Sequence, residues 1–403
     1  MPELVIRDVR PFGGDSVDVL VRNGIIADIG PGLIPPPGAT IEPGHSALLF
    51  PGLVEGHAHL DKTLWGGSWY CNDVGPTRND RIENERHWRR DGRHDAEARS
   101  LALARAYLGN GTTRMRTHAD IDTEIGLRHL HATMRTREAL AESLEMQIVA
   151  FPQSGLVNRP GTMELMEEAL RDGADVVGGI DPCAIDRDPV GQVDALFRLA
   201  ETHGKPIDIH LHEPGEMGAF SLDLILERTA AARMRGMVTV SHAFCLGMIA
   251  AADRDALLER MARWDVRIAT TAPASSAVPP LAICRAAGVT VYGGNDGIRD
   301  TWTPYARPDM LDRAMHIGLR NALRRDDELD WALQCVTSAA AVGCGFDRYG
   351  LAAGCRADLV LIDAETVAEA IVAAPPRRLV IANGTIVARN GSATPPVSAS
   401  ESG

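Results

Sequence analysis

Between residues 51 and 345, short apolar runs alternate with stretches whose apolar residues recur three to four apart, and the alternation repeats eight times. The eight runs are ALLFPGLVEGHAH, GTTRMRTHAD, MQIVAFPQS, ADVVGGIDP, KPIDIHLHE, MVTVSHAF, VRIATTAPA and VTVYGGND. Helical text such as DPVGQVDALFRLAETHG or SLDLILERTAAARMRG follows most of them. Strand and helix alternating eight times predict an α/β fold of the (β/α)8 TIM barrel type. An open doubly wound sheet is the rival, but no G-x-G-x-x-G or G-x-x-x-x-G-K-S/T motif follows a strand to support a nucleotide-binding version of it. Outside this region the period changes to two. ELVIRDVRPF and VDVLVRNGIIADIG open the chain, and ADLVLIDAE and RRLVIANGTIVARNG close it, with NG as a hairpin signal. Residues 1–50 and 346–391 are therefore expected to form a small, discontinuous β-sandwich domain around the 51–345 barrel, with 392–403 as a disordered tail.

Composition narrows the function classes. A chain of 403 residues that is 45% hydrophobic can bury a large core. Its net charge of −13 argues against nucleic acid and anionic membranes as partners and leaves small ligands. No apolar run is long enough for a span, and MPELVIRDVR carries charges where a signal peptide needs apolar residues, so a cytoplasmic location is expected. The seven cysteines are widely spaced without a C-x-x-C pair, which excludes a disulfide framework, a zinc ribbon and the deaminase type that holds zinc through P-C-x-x-C.

Chemistry gathers at the C-terminal ends of the strand runs, where such barrels place their active sites. His57 and His59, two apart on one strand, face the same way and can grip one metal. His118 and Asp120 end the second run, Gln153 the third, His210, His212 and Glu213 the fifth, His242 the sixth and Asp296 the eighth. A mononuclear site would use His57, His59, His210 and Asp296, a mixture that suits Zn2+ or Fe2+. No lysine ends the fourth run, so a bridging carbamylated lysine for a second metal lacks a source.

Glu213 is the candidate proton shuttle, although strict alternation puts His212 rather than Glu213 in phase with His210. His242 either orients the attacking water or is tied to the backbone. The Gln153 amide suits the edge of a pyrimidine-like ring or is a structural glutamine. His118 and Asp120 either support the ligands and substrate or pack the barrel. Asp61 and Lys62 pair with each other or support the histidines. Residues 63–94, with Trp65, Trp69, Tyr70 and Trp88 among arginines, read as a lid over a flat substrate, a helical decoration or a subunit contact. Trp302 is a pocket wall or a core residue.

These motifs resemble the cytosine deaminase branch of the amidohydrolase superfamily. The similarity rests on PGLVEGHAHLDKT, RTHADID, MQIVAFPQSG, ALRDGADVVGGIDP, PIDIHLHE, VSHAF, YGGNDGIRDTW and YGLAAGCRADLVLI, which run in family order over nearly the whole chain. It implies one Zn2+ or Fe2+ per chain on His57, His59, His210 and Asp296, Glu213 as acid/base and His242 as the water-orienting histidine. Gln153 would read the base, and the chain would form a homo-oligomer. The expected reaction is removal of an exocyclic amine from a cytosine-like nitrogen heterocycle. Gly297 stands where cytosine deaminases carry a second aspartate, and His212 is an addition. HLHE, SHAFC and DGIRDTW are instead similar to the N-isopropylammelide amidohydrolases, which release an alkylamine from a triazine. A catalytically dead barrel is a third reading, and all four ligands being in place weighs against it.

Overall fold

The computed structural model describes residues 3–90 and 94–393. Four strands open the chain: β1 (Leu4–Pro11), β2 (Val17–Arg22), β3 (Ile25–Gly30) and β4 (Thr40–Pro51). The eight expected barrel runs then form β5 (Leu53–Ala58), β6 (Thr112–Asp120), β7 (Glu145–Phe151), β8 (Val176–Ile180), β9 (Ile207–Leu211), β10 (Val238–His242), β11 (Arg267–Thr270) and β12 (Val291–Gly293). They lie side by side in chain order. Every pairing between them is parallel. The ring closes at one point, where Ala58 bridges Asp296 and the Asp296 N–H donates to the His57 carbonyl at 2.8 Å. The seam of the barrel thus runs between two expected metal ligands.

Helices cover the outside of the ring because their apolar faces pack on strands that are buried on both sides. Between β5 and β6 lie α1 (Arg78–Arg90) and α2 (Ala96–Gly109). Single helices follow the next strands: α3 (Arg128–Ala139), α4 (Thr162–Asp172), α5 (Pro189–His203), α6 (Gly215–Ala232), α7 (Ala251–Trp264) and α8 (Leu281–Ala286). Start signals are local. Asp188 accepts the Gly191 N–H at 2.9 Å ahead of Pro189 at the first position of α5.

The last four strands are β13 (Leu359–Ile362), β14 (Arg377–Ala382), β15 (Thr385–Arg389) and β16 (Ser392–Ala393). They join the first four in one hydrogen-bonded sheet of order β16-β15-β14-β13-β4-β1-β2-β3, so both ends of the chain build a single layer. Only β1 and β4 run parallel in it. Leu4, Ile6, Val21, Leu49, Leu361 and Ile381 are among the residues of its own core. Asn383 and Gly384, at φ 48° and 75°, make the tight turn between β14 and β15 that NG signals. Of the segment expected to be a tail, residues 394–403 lie outside the described residues.

The 63–94 segment splits into a loop and α1. Thr77 and Asp80 cap the helix reciprocally, at 3.0 and 3.1 Å. Its sequence RNDRIENERHWRR offers almost no apolar face, yet Ile82, Glu85, Arg86 and Arg89 are buried. Ion pairs dock it: Arg86 reaches Asp122 at 2.7 Å and Glu124 at 2.6 Å, and Arg89 pairs with Asp120. No helix among the described residues is long and apolar enough to cross a membrane.

Candidate metal centre

Alternation along β5 and β9 turns His57 and His210 into the barrel, and His59 follows one residue beyond β5. The ligand-capable atoms of His57, His59, His118 and His210 lie within 4.8 Å of one another, as do those of His57, His242 and Asp296. His59 Nε2 stands 3.3 Å from His210 Nε2 and 3.3 Å from Asp296 Oδ1, and His57 Nε2 stands 3.9 Å from that oxygen. Two donors each about 2.0–2.1 Å from a tetrahedral ion lie about 3.3 Å apart, so this spacing fits one metal. His57 Nε2 is moreover buried with no hydrogen-bond partner, which an ion would supply. Burial, together with the neighbouring charges, holds the imidazoles of His57, His59 and His210 well below their ordinary range, leaving them neutral with a lone pair to give.

A polar chain orients these side chains. His57 Nδ1 meets Ser241 Oγ at 3.0 Å, Ser241 donates to Asp208 at 2.6 Å, and Arg116 braces Asp208 at 3.2 Å. Asp296 (φ 66°) and Asp181 (φ 35°) sit in left-handed backbone just past their strands, and His242 (φ 72°) does so at the last residue of β10. Such strain in non-glycine residues is costly and clusters at functional sites. Here it turns all three away from the alternation of the strand.

The structure separates the two proton-shuttle candidates. Glu213 is fully buried, and its carboxylate accepts the Cys183 and Ala184 N–H groups, both at 2.7 Å, and the Ser221 hydroxyl. Those bonds tie it to the turn after β8 and to α6, and none leads to the histidine cluster. His212 instead stacks on His242 with ring centroids 4.1 Å apart. Its Nδ1 meets Asp181 Oδ2 at 2.9 Å. Burial alone would raise the Asp181 carboxyl, but His212 and Arg78 outweigh it and hold the group below its usual range. His242 has both ring nitrogens unpartnered and lies 4.0 Å from Asp296 Oδ2, and burial lowers its pKa to about 3. It is a neutral hydrogen-bonding group at physiological pH.

A second polar group forms one wall. Lys62 donates to the Gln153 carbonyl, and the Gln153 amide nitrogen donates to Glu85. Trp302 Nε1 also donates to Glu85, at 2.8 Å, and Lys62 lies over the Trp302 ring, 5.4 Å from its centre. Gln153 and Trp302, expected separately, thus meet through Glu85. His118 belongs to the histidine cluster; its Nδ1 donates to the Ala58 carbonyl at 3.2 Å and its ring stacks on His59. Asp61 accepts from His129 at 2.8 Å and from the Asp120 N–H at 2.9 Å, which makes it a support behind the ligands.

Sequence reasoning missed Asp181, Asp208, Ser241, Glu85 and Asp300. One of them carried a signal, because Asp208 shares the inward phase of His210, just as Arg116, which braces it, shares that of His118. Asp300 accounts for the departure at Gly297. A side-chain carbon added there would meet Asp300 Oδ2 at 1.8 Å, so this carboxylate fills the space a second aspartate would need.

A model of the amidohydrolase family matches residues 46–388. The chain belongs to that family. This amidohydrolase is 61% identical to the N-isopropylammelide isopropylaminohydrolase of Burkholderia multivorans ATCC 17616, whose crystal structure superposes with a TM-score of 0.96 over 98% of this chain and 100% of that one. It is 28% identical to the N-isopropylammelide isopropyl amidohydrolase of Pseudomonas sp. (strain ADP), over 85% of this chain and 86% of the relative. The 5-methylcytosine deaminase of Klebsiella pneumoniae, liganded with 5-fluorocytosine, is 27% identical with a TM-score of 0.85, over 96% and 97% of the two chains.

Proposed function

We propose that this amidohydrolase uses one divalent metal, Zn2+ or Fe2+, to hydrolyse an exocyclic carbon–nitrogen bond on a nitrogen heterocycle, and that its substrate is an N-alkylated aminotriazine whose alkylamino group leaves as the alkylamine while the ring takes up the water oxygen. The observation that carries the substrate is the 61% identity, end to end, with an enzyme named for releasing isopropylamine from ammelide. Deamination of a cytosine-like ring is the second reading, favoured by the similarity to a cytosine-type deaminase.

His57, His59, His210 and Asp296 would hold the metal, which supplies an activated water and polarises the bond under attack. The chain's own residues do the rest. His242, neutral and unpartnered, offers a hydrogen bond beside Asp296. His212 carries the proton: Asp181 holds its Nδ1, so Nε2 is the nitrogen free to take a proton from the attacking water and pass it to the departing amine. The Lys62–Gln153–Trp302 wall orients the ring.

The test is incubation of metal-loaded protein with N-isopropylammelide and, separately, with cytosine, followed by chromatography of the products. Isopropylamine from the triazine is the expected result. Ammonia from cytosine with no isopropylamine would replace this reading by the second one.

Glu213→Gln is expected to leave turnover within about tenfold of the parent, because its oxygens are engaged away from the cluster. It should cost about 1–3 kcal/mol of stability, since an amide N–H2 would face backbone donors. Steady-state kinetics with a thermal melt measure both, and a collapse of turnover at unchanged Tm would return the shuttle role to Glu213.

A further inference from the structure

Glu85 is 1% exposed and stands on a helix that otherwise docks through arginines, yet no step above uses it. Its Oε2 receives both the Gln153 amide N–H and the Trp302 indole N–H, Lys62 Nζ lies 3.9 Å from the same oxygen, and Arg89 lies 3.0 Å from Oε1. An amide has two faces, and Gln153 could present either to a ring. Here the choice is forced from both sides. Turned over, its N–H2 would meet the Lys62 ammonium and its carbonyl would meet the Glu85 carboxylate, two repulsive contacts in place of two charge-assisted bonds. Lys62 takes one of the two lone pairs of the Gln153 carbonyl, the acceptor of the wall. The protons left to give are those of the second Gln153 N–H and of the Lys62 ammonium, which has no lone pair of its own.

We propose that Glu85 is a specificity-determining positioning residue that locks the Gln153 amide with its carbonyl on Lys62, so that the wall offers chiefly donors and selects rings with an oxo or oxyanion edge over rings with an amino edge. The inference rests on the reading of the histidine cluster as a ring-binding site. It requires α1 in place, because Glu85 reaches the amide only from the docked helix. A site built to satisfy one hydrogen-bond pattern rejects the opposite pattern strongly, since buried polar groups are then left unpaired.

The experiment is calorimetric titration of metal-loaded protein with two small rings, barbiturate, whose edge is carbonyl and oxyanion, and 5-methylcytosine, whose edge carries an amine. The parent is expected to bind barbiturate at least about tenfold more tightly. Glu85→Gln, the same size but able to face either end of the amide, is expected to bring the two affinities within about threefold of each other. Glu85→Asp, which keeps the charge but withdraws it from the amide, should lower the ratio in the same way. Ile82→Ala, which loosens the helix by emptying a buried position, should weaken both rings together and leave the ratio unchanged. A ratio that survives in Glu85→Gln and Glu85→Asp, or falls equally in Ile82→Ala, overturns the assignment. So does a parent that prefers 5-methylcytosine or binds neither ring. Product release in the separate triazine and cytosine incubations is read independently, so the lock can fail while the proposed reaction stands.

Discussion

His212→Asn is expected to lower turnover by about 10²–10⁴-fold while the metal content stays at that of the parent, the loss typical of removing a positioned general acid–base. The metal should be unaffected because His212 lies outside the groups of mutually close ligand atoms and its Nδ1 is held by Asp181. Asp181→Asn should reproduce most of the defect, because a neutral partner no longer supports a protonated imidazole or selects the Nδ1–H tautomer. The double variant should then be little worse than either single one, as for groups that act as a unit. Steady-state kinetics on the amine-releasing substrate, with elemental analysis of each protein, checks all three statements. Turnover within tenfold of the parent in His212→Asn would remove the dyad from the mechanism. Loss of metal instead would mean that His212 belongs among the ligands. Paired with the mild effect expected of Glu213→Gln, this result assigns the proton to one of two adjacent residues that sequence alone left open.

That ambiguity shows where the sequence stops being informative. The barrel was legible because most of the apolar runs end in a polar residue and lead into a helical repeat, and the sum of eight such units admits few architectures. His57, His59 and His210 were legible because a strand shows alternate residues to one side. The chain leaves that geometry at the strand ends. β9 stops at Leu211, so the phase of His210 says nothing about which of His212 and Glu213 turns inward. Asp296, His242 and Asp181 reach the site through left-handed backbone that no side-chain pattern encodes. The polar wall was obscured for another reason. Helix α1 is buried by arginine–carboxylate pairs with the end of β6 and the loop beyond it, and a helix docked through charge has no apolar stripe by which to be recognised. Trp302 and Gln153 were each found, but their link through Glu85 depends on that docking.

The same burial predicts a steep acid sensitivity of the metal-stripped protein. His57, His59, His210 and His242 are all held below their ordinary pKa of 6.5, chiefly by burial, and His242 falls to about 3. As pH drops below 6.5 the unfolded chain takes up protons at these positions and the folded chain does not, so stability present above 6.5 is lost on acidification. Glu55 and Asp300 oppose this, because burial pushes each up to about 7 and the folded state then binds their protons first. His94 adds to the uptake while Glu213 and Asp358, raised by burial, oppose it; the three cluster imidazoles held well below their ordinary range set the sign, so stability falls on acidification. Urea melts of chelator-treated protein at pH 7.5 and 5.0 measure it, and the midpoint should fall sharply at the lower pH. Restoring the metal should raise the midpoint by a similar amount at pH 7.5 and 5.0, because the increment is set by affinity for the folded state, whose imidazoles keep their lone pairs free at both pH values. A midpoint that does not move between the two pH values would mean that the imidazoles are not buried in neutral form, and the metal centre would lose its physical basis.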